Sequence, residues 1–220
     1  MKPEIWNDEL FFKIIELVEK HKPQTMLEIG SAEGRGSTQA FIKGIHHDCK
    51  LFCVEINKER FKILSESMYD YDYIHCIYGS SVSIEDVMSE KKVELFYYDH
   101  PEFNLRKYPI EMVKTWRRND ISAMRRMGTP DNVIDSIKKN FFIDKFDMVL
   151  IDGSAFTADA EFNKIIGAKI IILDDIFDIK NYNNHKCLST EDGYDMIKEN
   201  KKLRNGYSIF KRSVNYGCKF

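Results

Sequence analysis

The sequence predicts a single α/β domain on a doubly wound, mostly parallel sheet, and three observations predict it. Strand-sized apolar runs alternate with helix-length segments in two blocks, 25–79 and 146–175. The runs are rich in Val, Ile and Leu, as parallel strands covered on both faces require. The first of them leads through a glycine-rich turn into a helix. A chain of 220 residues is the size of one such domain.

Asn7 or Asp8 is placed to cap a first helix whose Leu10, Phe11, Ile14, Ile15 and Val18 recur at helical spacing, and Pro23 stops it. TMLEIG (25–30) is the first strand, followed by a helix to about Ile45, the strand KLFCVE (50–55), a helix from Lys58 and the strand YIHCIYG (73–79). The second block holds FDMVLIDG (146–153), a helix around 158–165 and AKIIILDD (168–175). GYSIFKR (206–212) is the last strand, expected to be antiparallel. Residues 82–145 exceed what a crossover needs and read as a helical insertion, with an aromatic run at 93–103 and an apolar stripe of Ile110, Val113 and Trp116. From Asn104 to Arg126 seven Lys/Arg, including Arg117, Arg118, Arg125 and Arg126, stand against Glu111 and Asp120. That stretch is either a solvated basic face or a grip for an anionic acceptor.

A formal net charge of −2 gives no global attraction to nucleic acid or anionic membrane. The N-terminus lacks the apolar stretch of a signal peptide and no run is long enough to span a bilayer, which predicts a cytoplasmic protein. Cys49, Cys53, Cys76, Cys187 and Cys218 are odd in number and lack a C-x-x-C spacing, so they read as reduced thiols rather than a disulfide or zinc framework.

LEIGSAEGRGST (27–38) places Gly30, Gly34 and Gly36 where backbone approaches a ligand. The spacing G-x-x-x-G-x-G is wider than the G-x-G-x-x-G of a pyrophosphate-binding turn, and the acid heading it, Glu28, suits a ligand carrying an ammonium. Glu55, at the end of the second strand, can accept both hydroxyls of a ribose. Together they point to a nucleoside-containing cofactor without a pyrophosphate. Asp152 closes the fourth strand and Asp174 and Asp175 the fifth, at the carboxyl ends where open parallel sheets bind ligands. Three convergent carboxylates suit a hard divalent ion such as Mg²⁺, the alternatives being a helix cap or a cofactor contact.

With these motifs the sequence resembles the class I S-adenosylmethionine (SAM)-dependent methyltransferases, over nearly the whole chain apart from the insertion, and the resemblance implies a Rossmann-like fold with a sheet of the seven-stranded type, a sheet one strand short being left open. It implies that Glu28 and Gly30 face the methionine moiety, that Ser31 and Ser37 bind its carboxylate alongside the Gly34 turn, and that Glu55 holds the ribose. Ser80 and Ser81 would contact adenine, as in catechol-type O-methyltransferases; the competing reading is a helix cap. IDGS and LDDI resemble the Mg²⁺-binding strand ends of catechol and macrolide-sugar O-methyltransferases, which makes Asp152, Asp174 and Asp175 metal ligands. Those families carry a Lys or His general base where this chain has Ala155, leaving Lys180, His185 and His100 as the titratable candidates. The expected activity is O-methylation of a small-molecule or glycan acceptor, with a phosphorylated sugar among the options. The rivals are a nucleic-acid methyltransferase, disfavoured by the absence of an RNA-binding module and of a basic pI, and a non-catalytic cofactor-binding partner subunit. A nicotinamide-dependent oxidoreductase is disfavoured by the glycine spacing. Self-association as a homodimer is left open.

Overall fold

Asp8 caps the first helix, accepting from Phe11 N at 2.9 Å, and α1 (Glu9–His21) ends at Lys22 in the left-handed region, φ 46°. The computed structural model of the chain describes residues 3–126, 128–190 and 192–213. Its strands are β1 (Thr25–Ile29), β2 (Lys50–Glu55), β3 (Ile74–Tyr78), β4 (Met148–Ile151), β5 (Ile170–Asp174), β6 (Tyr194–Asn200) and β7 (Tyr207–Arg212). They form one sheet in the order β3-β2-β1-β4-β5-β7-β6, parallel except for β7, which runs antiparallel to β5 and β6. β6 is the strand the sequence hides. It lies at the edge with Asp195, Met196 and Ile197 exposed and an irregularity at Met196/Lys198, so it carries no clean alternation.

The remaining helices are α2 (Ser37–Gly44), α3 (Lys58–Ser67), α4 (Glu90–Asp99), α5 (Ile110–Met124), α6 (Val133–Asn140), α7 (Ala158–Ile165) and α8 (Tyr182–Thr190). Phe11 and Ile14 of α1, Phe41 of α2 and Leu64 of α3 bury against one face of the sheet. Ile134 and Ile137 of α6, Phe162 and Ile165 of α7 and Leu188 of α8 cover the other. Each fully buried Leu, Ile or Phe contributes roughly 1.5–3 kcal/mol by leaving water, which is why central strands read as unbroken apolar runs.

The segment 82–145 divides in two. α6 belongs to the core, as the crossover helix before β4. α4 and α5 form a separate apolar cluster with Val93, Phe96, Phe103 and Val113, seated on Phe156 and Ile179 beside the sheet's carboxyl end. Much of the basic stripe pins α5 to α4. Lys114 pairs with Glu94, Glu111 and Glu90, Arg118 with Glu90 at 3.0 Å, and the Arg117 guanidinium donates to Met88 O. Cys53 is buried, Cys49 and Cys76 are partly buried, and Cys218 lies outside the described residues. No described helix is long and apolar enough to cross a membrane.

Candidate active site

Neighbouring β1 and β4 lead to crossovers on opposite sides of the sheet, and such a switch point opens a crevice at the strands' carboxyl ends. The glycine turn lines it. Gly30 has φ +90°, and a Cβ there would meet Asp152 O at 2.3 Å, so the β1 and β4 ends touch through backbone. Gly30 N and Ser31 N donate to Val54 O at 3.0 and 3.1 Å, fixing the turn to β2.

Glu28 lines none of the cavities at this crevice, contrary to the expectation that it faces the methionine moiety. It is 0 % exposed and accepts the hydroxyls of Ser37 at 2.5 Å and Thr38 at 2.6 Å. Burial pushes its carboxyl up, and those hydroxyls oppose the shift. A carboxyl in a strand covered on both faces must be satisfied internally, and Glu28 ties β1 to the first turn of α2.

Two cavities meet over the glycine turn. One, of about 270 Å³, is walled by Gly30, Val54, Glu55, the Gly79-Ser80-Ser81 turn, Asp152 and Glu161. The other, of about 500 Å³, runs past Ser31, Gly36 and Ser37 at the start of α2, with Pro3–Ile5 over it and Arg35 and Arg60 in its walls. Gly34, at φ +73°, backs onto Leu64 and Met68 of the core and shapes the turn rather than the wall. Glu55 is 6 % exposed, with Oε2 accepting from Ala32 N at 2.9 Å and Oε1 from Asn57 N at 2.6 Å. Ser80 and Ser81 line the first cavity but spend their hydroxyls internally, on Val82 O and on Glu161. Ser83, rather than either of them, precedes the short 3-10 turn at 84–86.

Glu161 escapes sequence reasoning. It falls on the apolar face of α7 between Ala158 and Phe162, and that placement of an acid was its only signal. Its Oε1 accepts from Ser81 and Thr157 while Oε2 is buried without a hydrogen-bond partner, and burial pushes its carboxyl up.

Asp152, Asp174 and Asp175 converge, each offering an oxygen within 4.8 Å of the others. Asp175 sits at φ 57°, a left-handed conformation at the strand end. Two side-chain cations already meet this cluster. Lys180 Nζ lies 2.8 Å from Asp152 Oδ1 and 2.6 Å from Asp175 Oδ2, and Arg204 donates to Asp174 Oδ1 at 2.9 Å. Burial and the charges of Asp152 and Asp175 push the Asp174 carboxyl up to about 7 against the pull of Arg204. A Mg²⁺ ion needs oxygens at about 2.0–2.1 Å and would have to displace the ammonium, so the residues as arranged do not fit a divalent ion.

The third cavity, of about 520 Å³, lies between the sheet and the insertion. Lys107, Tyr108, Trp116 and Asp120 form one side, and Ala155, Phe156, Asp178 and Lys180 the other. Asp120 also walls the first cavity, and Lys180 the second, so these two residues stand where the cavities adjoin. Ser154 donates its hydroxyl to Asp120 Oδ2, and burial pushes the Asp120 carboxyl up.

The geometry favours none of the three candidate bases. Burial alone would lower the Lys180 ammonium, but Asp152, Asp175 and Asp174 outweigh it and hold it well above its ordinary value, so it stays charged. His185 lies beneath β7, 3.0 Å from Ser208 Oγ and 3.3 Å from Glu199, and His100 stacks on Phe103 with centroids 5.1 Å apart. Neither lines any of the three cavities. Of the insertion's cations Lys107 walls the third cavity, whereas Arg117, Arg118, Arg125 and Arg126 do not.

No protein-family model matches the chain, and no curated protein matches it. Solved structures do. An O-methyltransferase from Bacillus cereus, in complex with S-adenosylhomocysteine (SAH), superposes with TM-score 0.60 at 12 % identity, covering 96 % of this chain and 84 % of that one. The O-methyltransferase TomG from Streptomyces achromogenes, involved in tomaymycin synthesis and solved with SAM, gives 0.56 at 12 % identity over 96 % and 82 %. An SAH-bound methyltransferase from Podospora anserina gives 0.54 at 12 % identity over 96 % and 80 %. The chain has the Rossmann-like fold of these enzymes.

Proposed function

We propose that the chain is a SAM-dependent O-methyltransferase acting on a hydroxyl of a small-molecule or sugar acceptor. The observation that carries the reading is Glu55, buried at the end of β2 in a cavity wall beside the glycine turn, in a fold shared with SAM- and SAH-bound enzymes. Each Glu55 oxygen accepts one backbone amide and keeps a lone pair for a ribose hydroxyl. Ser31, Arg35 and the first amides of α2 surround the cavity suited to the methionine end, where a carboxylate is favoured by the helix N-terminus. SAM, when bound, supplies an electrophilic methyl group on a sulfonium sulfur. Replacing Glu55 with Ala should weaken SAM by roughly 1.5–3 kcal/mol, about 10- to 150-fold, in a calorimetric titration. Unchanged affinity in the folded variant removes the assignment.

The open lone pairs of Glu161 Oε2, beside Ser80 and Ser81, are an acceptor for the exocyclic amine of adenine. Glu161→Gln should cost roughly tenfold in SAM affinity, because the site then offers a donor where an acceptor is needed. Equal affinity in wild type and variant removes Glu161 from cofactor recognition.

The acceptor enters the third cavity, where Tyr108 and Trp116 offer ring faces and Lys107 a positive charge that would suit an anionic substituent. Asp120, at its junction with the first cavity, takes the hydroxyl proton in place of the residue missing at Ala155. Asp178 is a rival, its carboxyl raised to about 6 by burial and by Asp175, but it walls only the third cavity and already accepts from Ile179 N at 2.7 Å. The expected Mg²⁺ has no step here, since the acidic cluster as arranged fits an ammonium.

A further inference from the structure

We infer that Lys180 is a built-in cation that closes the strand-end acidic cluster to divalent metal, and that the same three carboxylates bind a divalent ion once it is removed. The donor set is that of a hard-cation site: Asp152, Asp174 and Asp175 bring oxygens within 4.8 Å of one another on the ends of two adjacent parallel strands. Asp174 is 0 % exposed, and its Oδ2 is buried with no hydrogen-bond partner. Lys180 bridges the other two aspartates at 2.8 and 2.6 Å from a side chain only 13 % exposed. An ammonium and a dication cannot share this space, because each needs the same oxygens and they repel at contact distance.

The chain holds Lys180 there by both its neighbours. Ile179 is 0 % exposed in the apolar cluster under the insertion. Asn181, also 0 % exposed, donates through Nδ2 to Ile151 O at 3.1 Å and Asp174 O at 2.7 Å, so the backbone flanking Lys180 is tied to both strand ends. The ammonium walls the acceptor cavity and the methionine-end cavity at once. On the methyltransferase reading, which this inference deepens, it puts positive charge beside the acceptor oxygen where related chemistry uses a divalent ion, and turnover does not depend on added metal.

The test is Mn²⁺ binding to the full chain by electron paramagnetic resonance and calorimetry, without SAM or acceptor. Wild type should show no saturable binding below about 1 mM, whereas Lys180→Met should bind at least roughly tenfold tighter, with Asp174→Asn on that background reversing the gain. Lys180→Arg should stay closed, since it keeps the charge. Lys180→Gln is the second neutral variant should the methionine fail to fold. Tight Mn²⁺ binding by wild type, lost in Asp152→Asn, overturns the inference even if both neutral variants misfold; a folded neutral variant that binds no better than wild type overturns it too. Because no arm contains SAM, a failure here is distinguishable from failure of the methyltransferase reading, which is decided by SAM affinity.

Discussion

Replacing Asp120 with Asn is expected to lower turnover of a neutral hydroxyl acceptor by about 10²–10⁴-fold, the range a positioned general base supplies, while SAM affinity stays within about twofold. The carboxylate stands between the first and third cavities, steadied by the Ser154 hydroxyl, and burial raises its pKa. A base works deprotonated. Turnover in wild type should therefore rise with pH through that raised value and level off above it, and the variant should lose this limb. Glu55, Arg60, Asp152 and Glu161 line the first cavity beside Asp120, and Lys107, Asp175, Asp178 and Lys180 the third. A pH limb that survives Asp120→Asn points to Asp178, whose carboxyl is raised to about 6 by burial and by Asp175. Initial rates with phenol and with 4-nitrophenol as probe acceptors separate proton removal from a structural role. An acceptor already ionised at the assay pH needs no base, so the variant should lose phenol methylation and largely keep that of 4-nitrophenol. Equal losses on both would mean that Asp120 only holds α5 to the strand-end loop.

Gly30→Ala is expected to destabilise the fold by about 3 kcal/mol or more in denaturant unfolding. The residue has φ +90°, and its Cβ would lie 2.3 Å from Asp152 O and 2.9 Å from Gly153 Cα, both backbone atoms of the adjacent strand end, so the clash cannot be relieved by turning a side chain. Gly128→Ala is the control. It shares a positive φ, +81°, but its Cβ would meet nothing within 4 Å, leaving only the conformational cost of about 1–2 kcal/mol. Equal losses at the two positions would show that the β1 and β4 ends are not in backbone contact.

Much of this site is legible in the sequence because strand ends are one-dimensional information. An unbroken apolar run that stops at Glu55, Asp152 or Asp174 announces both the strand and the residue placed at its carboxyl end. Spacing alone does not reveal how those residues are satisfied. Glu28 heads the glycine turn as a ligand-facing acid would, yet whether a strand residue points to the crevice or into the packing of α2 depends on the sheet being covered, and Ser37 and Thr38 take both of its oxygens. Three acids at adjacent strand ends read as a metal site because the cation that answers them, Lys180, follows in a turn whose path depends on Asn181 reaching back to two strands. Asp120 reads as a stray countercharge in a basic stretch. Only the docking of α5 over Phe156 brings it to the strand ends. The basic stripe misleads in the opposite sense, since its partners Glu90 and Glu94 lie on another helix.

The central claim, that this crevice holds SAM, is tested most directly by a crystal structure of the chain with SAH bound. The account predicts both ribose hydroxyls on Glu55, the adenine amine toward Glu161 beside Ser80 and Ser81, and the homocysteine end past Ser31 and the start of α2. It also predicts Lys180 still bridging Asp152 and Asp175 in crystals grown with Mg²⁺. SAH lodged elsewhere, or absent from the Glu55 cavity at saturating concentration, would contradict it.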